Sequence, residues 1–162
     1  MGVPGSTRQS QVGSRSESVL CFPVQKTRRE MAMESDIGAK LRVIDAPHIK
    51  AGGHYSSAMV AGGFVFVSGQ TPRDANRNVL GDTIEEQTAA ALDNVGKVLA
   101  AAGATLGDIV KTTIYIEDMG LFKRCNTVYA KYFPNHKPAR TTLACGLQGV
   151  LIEIDVVAYV GA

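Results

Sequence analysis

The chain has 162 residues, is 45% hydrophobic, lacks tryptophan, and carries 17 Lys/Arg against 15 Asp/Glu for a formal charge of +2. That balance fits one ordinary globular domain rather than a disordered, fibrous or membrane sequence, since a chain this long removes roughly two-thirds of its unfolded surface from water. The charge is too small for a nucleic-acid-binding field, and the densest basic patch, Lys26, Arg28 and Arg29, makes no stripe, so nucleic acid is disfavoured as a partner.

Residues 1–38 read as a disordered or processed N-terminal extension and residues 39–162 as the folded domain. In the extension Ser, Gly, Gln and Arg recur without periodicity, and its one apolar stretch, Val19–Val24, is interrupted by Pro23. Arg8 and Arg15 precede the first acidic residue, Glu17, which permits a mitochondrial targeting reading. Met31 and Met33 are alternative initiators. Cys21, Cys125 and Cys145 are odd in number without a C-x-x-C pair, so neither a disulfide framework nor a structural zinc cluster is implied. With no secretory signal and no run of about 18 apolar residues, the expected location is cytoplasmic, with mitochondrial as the alternative.

In the domain, Leu41, Val43 and Ile44 suggest a first strand, followed by a loop through Ala46-Pro47 and Gly52-Gly53. Ser57–Ala61 and Phe64–Ser68 flank Gly62-Gly63 and predict a tight hairpin, stopped at Gly69-Gln70-Thr71-Pro72. Thr83 and Glu86 form a T-x-x-E capping box, and Ile84, Leu92, Val95, Leu99 and Ala102 recur at helical spacing up to Gly103. Ile109–Ile116 is rich in β-branched residues and reads as a strand. Asp118 is placed to cap a second helix with apolar positions Leu121, Phe122, Cys125, Tyr129 and Tyr132, stopped by Pro134. Thr141–Cys145 and Val150–Val160 complete the order β-β-β-α-β-α-β-β, an α+β domain. In the last strand Val150, Ile152, Ile154, Val156, Ala158 and Val160 share one face by the period of two. The other face bears Glu153, Asp155, Val157 and Tyr159, and is too apolar to be left wet. A closed oligomer would bury it.

Motifs for nucleotide binding, zinc proteolysis and esterase chemistry are absent from the domain. His48, His54 and His136 lack ligand spacing, so no metal site is expected. The remaining candidates are Arg140, whose planar fork suits a carboxylate, and Glu153, a carboxylate on an otherwise apolar strand. Each also has an ordinary reading: Arg140 as a structural arginine, Glu153 and Asp155 as solubility residues, Ser68 as a strand-end hydroxyl on backbone, Asn126 as a solvated helix residue, and Tyr55 as a packing ring. Cys125 and Cys145 are most simply small buried hydrophobes.

Several segments, in this order and spacing, resemble the YjgF/RidA family of reactive-intermediate deaminases over residues 41–161. They are the Tyr55 loop, Phe66-Val67-Ser68-Gly69-Gln70-Thr71-Pro72, Leu92-Asp93-Asn94-Val95, Asp108–Thr113, Asn126-x-x-Tyr129-x-x-Tyr132-Phe133, Pro138-Ala139-Arg140 and Ile152-Glu153-Ile154. The resemblance implies a chorismate-mutase-like domain, with two helices packed on one face of a mixed sheet, assembled as a homotrimer around a central barrel. Sites would then lie between subunits. It implies hydrolysis of small 2-imino acids, of the 2-aminoacrylate/2-iminopropanoate type, to 2-keto acids and ammonia, without a cofactor.

By position, Arg140 is similar to the family arginine that pairs with the substrate carboxylate, and Glu153 to the acid that activates water. Tyr55, Ser68, Gly69, Asn126 and Thr142 resemble its substrate-binding positions. Thr142 stands where many members have cysteine, which excludes a mechanism needing a thiol there, although its backbone N–H can still serve an anion. The segment from Arg140 to Glu153 is shorter than in many relatives and turns at Gly146–Gly149. The alternatives are a deaminase of a longer amino-acrylate or aminomuconate-like substrate, and a non-enzymatic ligand- or protein-binding trimer, ribonuclease or translation inhibitor.

Overall fold

A computed structural model describes residues 1–2, 41–46, 49 and 52–161. The expectations for the N-terminal extension, Cys21, Pro47 and His48 lie outside the described residues. Six strands and two α-helices follow the expected order: β1 (Leu41–Ile44), β2 (Ala58–Ala61), β3 (Phe64–Gln70), α1 (Ile84–Ala102), β4 (Ile109–Ile116), α2 (Phe122–Tyr132), β5 (Ala139–Ala144) and β6 (Ile152–Tyr159). They build one mixed sheet in the order β1-β2-β3-β6-β4-β5. All neighbours are antiparallel except the β4–β5 pair.

Local chemistry explains the boundaries. Gly62 and Gly63 hold φ of 54° and 78° in a two-residue turn between Ala61 and Phe64, the conformation that matches strand twist and that glycine adopts without penalty. Helix α1 starts at the capping box: the Thr83 side chain accepts from Glu86 N (3.3 Å) while Glu86 Oε2 accepts from Thr83 N (3.0 Å). It ends at Gly103 in the left-handed region. Asp118 caps a 3-10 turn, Met119–Leu121, which leads into α2 rather than capping that helix directly.

Strands β3, β5 and β6 have ends that differ from the sequence reading. Strand β3 runs on to Gln70 because a bulge lets it stay paired: Val67 is opposite Val156 and Gln70 opposite Ile154, three residues against two. Strand β5 begins at Ala139, since parallel pairing with β4 starts at Lys111–Ala139 and takes in Arg140. Strand β6 spans Ile152–Tyr159. Val160 lies beyond its end and is exposed, whereas Val150, before its start, is buried.

The core lies between the helices and one sheet face. Val65, Val67, Ile114, Ile116, Ile152, Ile154, Val156 and Ala158 meet Leu92, Val95, Leu99 and Cys125, all of them buried. At about 25 cal/mol per Å² of apolar area removed from water, this interface is the main source of stability. Helix α2 is fixed to α1 at its two ends, by a two-point Arg124–Glu85 pair at 2.7 Å and by the Tyr132 hydroxyl donating to Asp93 Oδ1 at 2.9 Å. The sheet's other face carries no helix. Its register aligns Leu41, Ala61, Phe64 and Tyr159 in one row and Val43, Met59, Phe66 and Val157 in the next. Phe66 is 47% exposed and Val43 55%.

Candidate functional site

The bulge at the end of β3 shapes one side of the site. The extra residue places Ser68 and Gly69 against Glu153 and Asp155 of β6. A Cβ on Gly69 would lie 2.8 Å from the Glu153 carboxyl carbon and closer still to Oε1, so the absence of a side chain is what makes room for this carboxylate. The Ser68 hydroxyl donates to Ser56 O at 2.8 Å, a strand-end bond to backbone, while the oxygen still borders the cleft. Tyr55, exposed, completes the wall, its phenol oxygen accepting from Gly52 N at 2.9 Å. A cavity of about 330 Å³ joins Tyr55, Gly69 and Glu153 to the loop of Gly146, Leu147 and Gln148.

Glu153 is half-buried, and among the described residues its carboxylate accepts no hydrogen bond. Burial pushes its pKa above the ordinary carboxylate range, and the neighbouring Asp155 carboxylate pushes in the same direction. Asp155 is itself fixed by Tyr115, which stands directly opposite Glu153 on β4 and donates its hydroxyl to Asp155 Oδ2 at 3.0 Å. That bond, with burial, raises the Tyr115 pKa and keeps the phenol protonated. The alternation of β6 alone makes Asp155 a solubility residue, and nothing in β4 alone singles out Tyr115. Cross-strand register is the signal that joins them, and it is not written in one strand's alternation.

Arg140, Asn126 and Thr142 form a second group. Arg140 pairs with Thr112 and Thr142 with Ile114, both buried against the helices, so both side chains leave the sheet on the helix side. Arg140 Nη2 donates to Asn126 Oδ1 at 2.9 Å, and its Cζ lies 4.6 Å from the Tyr129 ring centre and 5.5 Å from that of Phe122. Phe122, Asn126 and Tyr129 share one face of α2 by their i, i+4, i+7 spacing. Tyr129 is held by its hydroxyl bond to Thr112 Oγ1 at 3.0 Å. Among the described residues no carboxylate is within ion-pairing distance of Arg140. Cys125 is buried beside this group, and burial pushes its thiol pKa up.

Within one chain, then, Tyr55, Ser68, Gly69 and Glu153 come together, and so do Asn126, Arg140 and Thr142. The two groups lie on opposite faces of the sheet. Cys145 follows β5, partly exposed, its N–H bonded to Ile116 O at 3.0 Å. Among the described residues no three His, Cys, Asp or Glu side chains gather as a metal would require, and no helix is long and apolar enough to cross a membrane.

These features define a two-layer α+β protein with an uncovered apolar sheet face, an anion-type arginine on one side and a cleft carboxylate on the other. The family described as Endoribonuclease L-PSP matches residues 44–160. A RutC family protein of Pyrococcus horikoshii is 44% identical over 111 residues, 66% of this chain and 87% of the relative. The mitochondrial protein mmf1 of Schizosaccharomyces pombe is 39% identical over 120 residues, 71% of this chain and 74% of its own length. Among solved structures, yeast Mmf1 superposes with a TM-score of 0.70 at 34% identity, covering 74% of this chain and 98% of that one. Escherichia coli TdcF with bound serine gives 0.67 at 30%, covering 73% and 98%. The chain belongs to the YjgF/RidA family.

Proposed function

We propose that this chain is an enamine/imine deaminase that converts small 2-imino acids, of the 2-aminoacrylate/2-iminopropanoate type, to 2-keto acids and ammonia at sites shared between neighbouring copies in a homotrimer. The observation that carries the reading is the separation of Arg140 from Glu153 by the sheet. Each side holds what the other lacks: a cation without a counter-ion, and a carboxylate without a donor. The uncovered rows from Leu41 to Tyr159 and from Val43 to Val157 supply an apolar surface for copies to pack around a central barrel.

In this reading Arg140, steadied by Asn126, grips the substrate carboxylate as a two-pronged fork, with the Thr142 backbone N–H beside it. Glu153 of the neighbouring copy orients a water against the C=N carbon, with Tyr55, Ser68 and Gly69 as the wall. The water oxygen bonds to carbon as its proton passes to Glu153 and the nitrogen takes up a proton. Collapse of the carbinolamine breaks the C–N bond, releases ammonia and leaves the ketone after loss of the hydroxyl proton. Water is the only co-reactant, so the balance needs no cofactor.

The ribonuclease reading, carried by the family description, finds little support in a domain with 12 basic and 11 acidic residues from Lys40 onward, counted along the sequence. Relatives named as mitochondrial support a mitochondrial location for this chain, beside the cytoplasmic one expected from its sequence.

Mixing subunits tests the reading. Arg140→Ala and Glu153→Ala should each abolish hydrolysis of freshly generated 2-iminopropanoate. Trimers refolded from an equal mixture should regain about a quarter of the wild-type sites, the share in which an intact arginine meets an intact glutamate by chance. No recovery in mixed trimers, or undiminished hydrolysis by either variant alone, would overturn it.

A further inference from the structure

As one chain shapes it, the cleft beside Glu153 is larger than a three-carbon imino acid. Such a molecule, with six heavy atoms, occupies on the order of 100 Å³, a few water volumes of about 30 Å³ each, whereas the cavity measures about 330 Å³. Its far side is formed by the turn at 72–80, which brings Arg73, Asp74 and Arg77 to the wall. Two of these three are already committed. Arg73 donates to Arg77 O at 2.9 Å and to Gln148 O at 2.7 Å, tying the turn to the Gly146–Gly149 loop. The Asp74 carboxylate accepts from Asn76 N, Asn78 N and Asn78 Nδ2 at 2.8–3.0 Å, which holds its pKa below the ordinary carboxylate range.

Arg77 differs. Its backbone is fixed at φ 68° by a bond from its N–H to Asp74 O at 3.0 Å, a left-handed conformation unusual for a non-glycine residue. The guanidinium lies on Gly52 so closely that a Cβ there would be 3.0 Å from Cζ. The same Gly52 donates its N–H to the Tyr55 phenol, so one side-chain-free residue seats both Tyr55 and Arg77 at the cleft. Among the described residues the Arg77 guanidinium has neither a carboxylate partner nor a hydrogen-bond acceptor.

We infer that Arg77 is a second anion subsite, which makes the cleft selective for 2-imino acids that carry a second, distal carboxylate. The inference rests on the deaminase reading for the chemistry at the imine, while the subsite itself rests on the placement of Arg77. A planar fork seated at the cleft wall is suited to a carboxylate, and the spare volume between Glu153 and Arg77 accommodates the intervening carbons.

The test compares the imine generated from glutamate with its neutral counterpart generated from glutamine, each made in place by an amino-acid oxidase and followed by imine trapping. Wild-type kcat/KM should favour the dicarboxylate about tenfold, chiefly through KM. The ratio should fall toward one in Arg77→Gln and in Arg77→Gly, the latter relieving rather than straining the positive φ. Arg77→Lys should restore part of it. A wild-type ratio near one, or a preference that survives both neutral variants, overturns the inference. If no imino acid is hydrolysed at all, the deaminase reading fails and calorimetric binding decides the subsite. Tighter binding of 2-oxopentanedioate than of its 5-amide, lost in Arg77→Gln, upholds it, and equal binding overturns it.

Discussion

Replacing Gly69 by alanine should separate the fold from the chemistry. Gly69 has no positive φ, so alanine fits its backbone, and the unfolded-state effect of Gly→Ala is stabilising by about 0.4–1 kcal/mol. The new methyl would stand 2.8 Å from the Glu153 carboxyl carbon, whereas atoms in ordinary contact keep about 3.5–4.0 Å. The carboxylate, at the end of a flexible side chain and with Oε1 nearer still, must therefore retreat by at least about an ångström. A misplacement of about that size in a reacting group costs on the order of 100-fold in rate, or ~2.7 kcal/mol of transition-state stabilisation. The assay is kcat/KM for 2-iminopropanoate beside the melting temperature and the elution volume of the same sample. The expected result is an assembled protein whose melting temperature is not lowered, with about 1% of the activity. Activity within threefold of wild type, with melting and assembly unchanged, would show that Glu153 does not orient the water from the position described.

Four further outcomes follow from the same geometry. Because Glu153 must be ionised to take a proton, its raised pKa puts the acid limb of kcat/KM above the ordinary carboxylate range. Asp155→Asn removes the adjacent negative charge and should shift that limb to lower pH, and Tyr115→Phe, which frees the Asp155 carboxylate, should leave the limb elevated. The stability sign runs the other way: a group whose pKa is raised on folding favours the fold below its unfolded pKa. Glu153→Gln should therefore gain stability over wild type as pH rises through the native Glu153 titration, read by urea unfolding across pH. Asn126→Ala removes a hydrogen bond to a charged group, so kcat/KM should fall by the equivalent of about 1.5–3 kcal/mol with most of the loss in KM, measured by initial rates. Leu92→Ala, in the fully buried face of α1, should cost about 2–5 kcal/mol in denaturant unfolding while altering no cleft residue.

Most of the fold is legible in the sequence because its periodicities are strong and local. The β2–β3 hairpin rests on two adjacent glycines, and α1 on a capping box, a buried stripe and a terminal glycine. All lie within a few residues of what they control. The strand ends were less legible because pairing across the sheet decides them: the bulge that carries β3 to Gln70 exists only against Val156 and Ile154, and Arg140 joins β5 only against Thr112. The candidate residues were legible by type and by family resemblance. That Arg140 and Glu153 leave the sheet on opposite sides follows from the odd spacing along β4 of the residues they pair with, Thr112 and Tyr115. Tyr115 escaped notice for the same reason, since nothing in Ile109–Ile116 alone points it toward Asp155.

The setting of Arg140 against Tyr129 and Phe122, with Asn126 bonded to its Nη2, has a kinetic consequence. Much of the rotamer freedom of a long cationic side chain is surrendered during folding, so an arriving anion meets an arm already extended. The two aromatic neighbours also displace water from the guanidinium. Lysine at this position would keep the charge and lose that readiness, because an ammonium has no plane to lay against a ring. Capture should accordingly slow in the lysine variant, even where the final complex holds comparably well.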